Sequence, residues 1–480
     1  MEKSLKEKTA QGLFWGGISS GMQQVLNLLF GIFLARMLNA EDYGMIGMLT
    51  IFSLISGTLQ ESGFTAALIN KQDVTSRDYN AVFWSSVLIG CSLYLILSLC
   101  APLIARFYGR PELETLSRFV FLGFVVTSTG TVPNAILSRN LMVKQKTIAQ
   151  LSALLASGTV GVTLAYHGMA YWGLAVQNLV FVTVLMSIYW YFTPWRPSFR
   201  FDFRPLKTLF GFSSRMMATQ LFTQINNNIF SVILGRFFQP SQVGYYTQAN
   251  KWNMMGTSII NTMMNGVAQP VLAQVATERE RQLSVFRKML RFTSFVSFPC
   301  MFGLGLISNE FIVLAVTEKW LPSVPILQML CIWGAFLPVT SMFSNLVISR
   351  GKSNIFMWNT IALGLIQLTL LLLLYPYGVH SMIAAFVTVN ILWLGIWYHY
   401  VHREIGLTFM DMFRDIVPFC AIAFFAMIVT FFVTHTIAYP LLRMVAKIGL
   451  AVVLYLGILK IIQAKILNDC IDYLLNKRII

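Results

Sequence analysis

Apolar runs of about 20 residues, the length a helix needs to cross the hydrocarbon core of a bilayer, recur along the chain. Their centres fall near residues 22, 56, 92, 128, 157, 181, 222, 258, 298, 335, 365, 390, 427 and 454. The pattern predicts an all-α polytopic membrane protein with about fourteen transmembrane helices. Runs 3, 11, 13 and 14 are largely apolar, which predicts peripheral helices facing lipid. Those near 22, 222 and 258 are unusually polar for spans. The short run 311–316 cannot cross by itself and is expected to lie in the interface or to extend a loop.

The chain also repeats. Leu34-Ala35-Arg36-Met37-Leu38 with Tyr43-Gly44 returns 200 residues later as Leu234-Gly235-Arg236-Phe237-Phe238 with Val243-Gly244. Asn134-Ala135-Ile136-Leu137-Ser138-Arg139 returns as Asn345-Leu346-Val347-Ile348-Ser349-Arg350, and His167-Gly168-Met169 as Tyr377-Gly378-Val379. Three matches in one order indicate duplication. An even number of spans separates the copies, so both share one orientation. This predicts lobes at 1–200 and 201–405, with two extra C-terminal spans in 406–480. Parallel repeats of this kind occur in transporters, with the substrate site at the repeat interface.

Polarity follows the repeat. Span 1 carries Ser20, Gln23 and Asn27 on one face; span 7, its repeat partner, carries Gln220, Gln224, Asn227 and Ser231. Span 2 carries Thr50, Ser53, Gly57, Glu61 and Thr65, and span 8, its partner, Lys251, Ser258, Thr262, Asn265 and Gln269. Lipid offers no hydrogen bonds, so such faces must meet protein or a water-filled cavity. Hydrogen bonding within a dry bundle accounts for scattered Ser and Thr but not for two cations, Arg215 and Lys251, each about a third of the way into its span, where a long side chain either snorkels to the interface or enters a cavity. A central, net cationic cavity suits an anion such as a diphosphate, with Arg215 and Lys251 as its ligands. Gln23, Asn27, Gln220, Gln224, Asn227 and Asn265 would serve as the remaining substrate-binding groups. Glu61 either pairs with one of the cations or titrates and couples transport to an H+ or Na+ gradient; no cofactor is expected.

Composition excludes several alternatives. Of 480 residues, 56% are hydrophobic and 11% charged, against about 25% charged in soluble domains. The net charge of +16 need not imply nucleic acid. With the N-terminus in the cytoplasm, 25 of the 35 Lys and Arg fall in inside segments and eight in outside ones, the bias that membrane insertion produces. Both termini are then cytoplasmic. The first apolar stretch lacks a cleavage pattern and reads as a retained span. Six dispersed cysteines form no disulfide or zinc pattern. Gly351-Lys352-Ser353 lacks the upstream glycine of a phosphate loop, because Leu346 stands there. His399, His402 and Glu404 are too few for a metal centre. No connection exceeds about 20 residues, which leaves no room for a soluble catalytic domain, and no nucleophile–base pair or paired catalytic carboxylates are present.

The run Arg36-Met37-Leu38-Asn39-Ala40-Glu41-Asp42-Tyr43-Gly44 resembles the first loop of bacterial polysaccharide-export flippases. Ala66-Ala67-Leu68-Ile69-Asn70-Lys71, Asp78-Tyr79-Asn80-Ala81-Val82-Phe83 and Ala101-Pro102-Leu103-Ile104-Ala105-Arg106-Phe107-Tyr108 continue the likeness, as do 168–177, Leu234-Gly235-Arg236 and Gly244-Tyr245-Tyr246. It covers at least residues 10–350 and is most similar to the colanic-acid-exporter-like branch of the O-antigen and lipopolysaccharide exporters. The superfamily also contains the MATE multidrug exporters and the lipid II flippase.

The resemblance implies two six-helix lobes plus two extra helices, and alternating access across the bacterial inner membrane. It implies an undecaprenyl-diphosphate-linked oligosaccharide as substrate, moved from the cytoplasmic to the periplasmic leaflet for O-antigen, capsule or exopolysaccharide synthesis. The expected partners are that lipid-linked glycan, membrane lipids and the polysaccharide polymerase machinery; the chain itself is expected to be monomeric. Two features depart from relatives: Asn228-Ile229-Phe230-Ser231 replaces a usual acidic residue before the Gly-Arg of span 7, and Glu61 stands where Asp is common. The rival readings are a multidrug or other lipid exporter, which would favour a carboxylate-rich cavity, and a membrane polymerase or ligase, which would need a large external loop.

Overall fold

In a computed structural model, residues 5–61, 65, 68, 69, 71, 73–199, 204–464 and 466–468 are described, and among them the chain is helical, without strands. It divides into two compact units, Met1–Gly244 and Tyr245–Ile480.

The first unit contains α1 (Leu5–Met37), α2 (Ala40–Glu61), α3 (Ser76–Tyr108), α4 (Glu112–Ser128), α5 (Thr131–Arg139), α6 (Val143–Tyr166), α7 (Ala170–Phe192), α8 (Arg204–Phe237) and the first residues of α9 (Pro240–Gln274). Helix α3 begins on a capping box: the Asp78 amide donates to Thr75 Oγ1, and Asp78 Oδ2 accepts from the Thr75 amide at 2.9 Å. Lys71 Nζ, 2.7 Å from the same carboxylate, ties the preceding segment to this end. The helix stops at Gly109, whose φ of 67° suits glycine. Helices α1 and α6 pack closely, because Gly158 leaves room for the Phe30 ring; a Cβ there would lie 2.4 Å from it.

Two glycines permit a closer, reciprocal approach at the starts of α2 and α9. A Cβ on Gly44 would sit 1.9 Å from the Pro240 carbonyl oxygen, and one on Gly244 would sit 1.7 Å from that of Ala40. All four residues lie in the first unit, and Gly44 and Gly244 occupy equivalent positions of the repeat noted in the sequence.

The second unit holds the rest of α9, then α10 (Arg279–Val316), α11 (Ser323–Ser349), α12 (Ser353–Leu374), α13 (Val379–Leu392), α14 (Leu394–Ile405), α15 (Phe409–Thr434) and α16 (Pro440–Ile461). Helix α10 packs on α11, α15 and α16. At one end Asp415, on α15, is 2.7 Å from Arg287 Nε and 2.5 Å from Arg291 Nε, both on α10, and Arg287 also reaches Asp411.

Ten helical segments among the described residues are long and apolar enough to cross a membrane, and eleven if α4 and α5 count as one span bent by 44°. That pair accounts for the apolar centre near 128, and α13 with α14 for the one near 390. Helices α1, α8 and α9 are 33, 34 and 35 residues long but do not meet the apolarity criterion; they are the three runs whose sequence is unusually polar. All fourteen centres lie on helices or at that one break, but apolarity by itself does not reach fourteen.

One expectation is corrected. Residues 311–316 do not extend a loop: α10 runs unbroken for 38 residues, about 57 Å, and 311–316 form its last turns. No glycine or proline stands between Leu306 and Val316 to end it. Helices α3 and α7 bury the smallest shares of their apolar windows, followed by α12 and α16, and α2 and α11 bury the largest among the described spans; of the four runs expected at the periphery, those of α3, α12 and α16 are little buried within their units, whereas α15 is buried to an intermediate degree.

Candidate substrate site

In the first unit, the polar row of α1 divides. Gln23 is half-buried and turns to α6: its Nε2 donates to Ser19 Oγ at 2.8 Å and to Gln150 Oε1 at 3.1 Å, and Ser19 donates to the same Gln150 oxygen. Its carboxamide therefore holds α1 to α6. Ser20 and Asn27 are exposed. On α8, Gln220 and Asn227 are exposed and Gln224 is half-buried, with the Asn228 side chain donating to the Gln224 carbonyl at 2.9 Å. Spacings of four and three residues bring Gln220, Gln224 and Asn227 onto one face. The side chains of Arg215 and Glu61 lie outside the described residues, as does that of Asn265.

In the second unit, Lys251 is half-buried on α9, its Nζ 5.6 Å from the centre of the Trp252 ring. Beside it stand two residues that sequence reasoning did not single out. Gln248 and Asn253 are fully buried, and neither carboxamide finds a hydrogen-bond partner within the described chain. Helix α11 approaches at Gly334, where a Cβ would come within 2.4 Å of Asn253 Oδ1. Buried amides without partners cost roughly 1–3 kcal/mol each and mark places where water or a ligand completes the bonding. Gln248, three residues before Lys251, shares its face, whereas Asn253 falls off it and periodicity could not find it; high polarity inside a span was the available signal.

The acids and bases were also read incompletely. Sequence reasoning did not single out Glu310, which is 2% exposed on α10 and accepts from Lys447 at 2.7 Å, with Arg443 Nη1 3.8 Å away. Lys447 and Arg443 belong to α16. At the other end, His402 Nδ1 lies 2.7 Å from the Leu407 carbonyl oxygen, while Glu404 pairs with Lys352.

Among the described residues, three long helices are thus too polar for simple lipid-facing spans, with carboxamides on α1 and α8 and a cation on α9. Residues 33–325, more than half of the chain, match the family described as polysaccharide biosynthesis protein. The chain belongs to that family. It is 26% identical over 371 residues to the teichuronic acid biosynthesis protein TuaB of Bacillus subtilis, covering 76% of this chain and 77% of the relative. It is 25% identical over 358 residues to the lipopolysaccharide biosynthesis protein WzxC of Escherichia coli, covering 73% and 72%. Among solved structures, the lipid II flippase MurJ in an inward closed conformation matches with a TM-score of 0.75 at 13% identity, covering 94% of this chain and 99% of that one. An inward-facing MATE multidrug transporter matches at 0.65 and 16% identity, covering 80% and 94%. Those likenesses show the fold. The family member is a multi-pass membrane transporter and not an enzyme.

Proposed function

We propose that the chain is a flippase that carries an undecaprenyl-diphosphate-linked oligosaccharide from the cytoplasmic to the periplasmic leaflet of the bacterial inner membrane. In this reading it crosses the membrane fourteen times, with α1, α8 and α9 completing the apolar set, and both termini are cytoplasmic. It works as a monomer by alternating access.

The observation that carries the reading is the polarity of those three helices. Asn27 on α1 and Gln220 and Asn227 on α8 are exposed along helices otherwise long enough to span. A helix with such a face is stable in a bilayer only where protein, water or a polar ligand meets it. Carboxamides donate and accept at once, which suits sugar hydroxyls. Arg215 and Lys251 supply the charge for the diphosphate: guanidinium binds such oxygens in pairs and ammonium as a point charge. Glu61 balances one of them or exchanges a coupling ion. The prenyl tail stays in lipid throughout.

Arg215→Ala and Lys251→Ala test this directly. Each is expected to abolish surface polysaccharide display while the protein remains in the membrane at parental levels. Lys251→Arg, which keeps the charge, is expected to retain part of it. Undiminished display in both alanine variants removes the two cations from the mechanism.

A further inference from the structure

A second chemical environment lies in the second unit, away from the polar rows. A cavity of about 840 Å³ opens among α10, α11, α15 and α16, within the size range of ligand pockets. Its floor and walls are apolar: Phe302, Phe424, Met427 and Phe431 line it, and Phe424 is 59% exposed. Its polar groups gather where α10 and α15 end and α16 begins. There Arg443 and Lys447 face one carboxylate, that of Glu310, with His435 alongside. From Phe424 to His435 is eleven residues, about 16 Å along α15, roughly the depth of one leaflet of a 30 Å hydrocarbon core.

Two cations against one acid leave a net positive mouth above a greasy cleft. Glu310 is taken up by Lys447 at 2.7 Å. Arg443 is held more loosely: its Nε donates to the Ile437 carbonyl at 2.6 Å, its Nη1 is 3.8 Å from Glu310, and its side chain is 28% exposed. It stands in the first turn of α16, where the helix dipole also favours an anion. Water gains little from apolar walls inside a membrane, whereas an acyl chain fills them.

We infer that this cavity is a resident site for one anionic glycerophospholipid, with its phosphodiester on Arg443 and an acyl chain along Phe302, Phe424 and Met427. The complementarity is one excess positive charge for one negative phosphodiester. Its test reads lipid retention and not glycan movement, so it stands or falls independently of the flippase reading.

The test uses the full chain reconstituted in nanodiscs of equal phosphatidylglycerol and phosphatidylcholine, released into mild detergent and weighed by native mass spectrometry. The parent is expected to retain one phosphatidylglycerol. Arg443→Gln is expected to lower the phosphatidylglycerol-to-phosphatidylcholine ratio about ten-fold, the effect of losing roughly 1.4 kcal/mol. Gly305→Leu supplies a variant that leaves the charges intact: Gly305 lines the cavity, and a Cβ there meets only Cys331 Cβ at an ordinary 3.6 Å, so the leucine side chain occupies the cleft and the adduct is lost. Equal retention of the two lipids by the parent, or an adduct unchanged in Gly305→Leu, overturns the inference. So does a co-purified prenyl phosphate in place of the phospholipid.

Discussion

Replacing Lys447 by Met tests the energetics of the buried ion cluster. Lys447 and Glu310 side chains are 5% and 2% exposed and 2.7 Å apart. At an effective dielectric near 20 their attraction is about 6 kcal/mol, nearly cancelled by several kcal/mol of desolvation for each ion. The intact pair therefore contributes little net stability, but an orphaned member is costly, about 3–5 kcal/mol. Arg443, 3.8 Å from the same carboxylate oxygen, retains about 4 kcal/mol of attraction by the same arithmetic. Lys447→Met is thus expected near the low end, about 3 kcal/mol, and Glu310→Gln near the high end, about 5 kcal/mol, because it leaves two cations without their acid. The double variant leaves only Arg443 without its acid, and because that side chain is 28% exposed its loss is expected to be smaller than that of either single variant. Reversible denaturant titration of the purified protein, followed by tryptophan fluorescence, gives the three values as a double-mutant cycle. Additive losses, with the double variant as unstable as the sum of the singles, refute the reasoning.

Two further outcomes follow from packing. Gly44→Val forces a Cβ at least 1.1 Å inside the 3.0 Å limit against the Pro240 carbonyl (3.0 less 1.9); it is expected to destabilise by about 1–3 kcal/mol, whereas Gly21→Val, with nothing within 4 Å of its Cβ, is expected to leave thermal unfolding unchanged. Asp415→Asn removes the carboxylate shared by Arg287 and Arg291; because those arginines are partly exposed, the loss is expected at about 1–2 kcal/mol and to shrink in high salt, and a salt-independent loss contradicts the ionic assignment.

Most of the helical order was readable because crossing a bilayer demands long apolar runs, and each run centre became a helix. The polar helices α1, α8 and α9 were readable for the opposite reason: lipid does not tolerate amides, so Gln220, Gln224 and Asn227 at helical spacing announce a face that needs water or protein. The structure then showed that a shared row need not share a fate, since Gln23 is spent on Gln150, 127 residues away, while Asn27 stays exposed. Glu310 was not singled out because hydropathy falls at Asn309 and Glu310 and suggests an end to the span. Helix propensity, with no glycine or proline after Leu306, carried α10 on to Val316. Its partner Lys447 lies 137 residues further along, and no local pattern encodes such a pairing. Asn253 escaped notice because the close approach of α11 at Gly334, not periodicity, makes it unusual.

The central claim is transport, and the most direct measurement is flipping by the purified chain in proteoliposomes. Undecaprenyl-diphosphate oligosaccharide is placed in both leaflets, and its accessibility to an externally added glycan-cleaving enzyme is followed over time. The account predicts that the parent exposes the protected inner-leaflet fraction and that Arg215→Ala and Lys251→Ala do not. Protection that persists with the parent protein at the level of empty liposomes would contradict it.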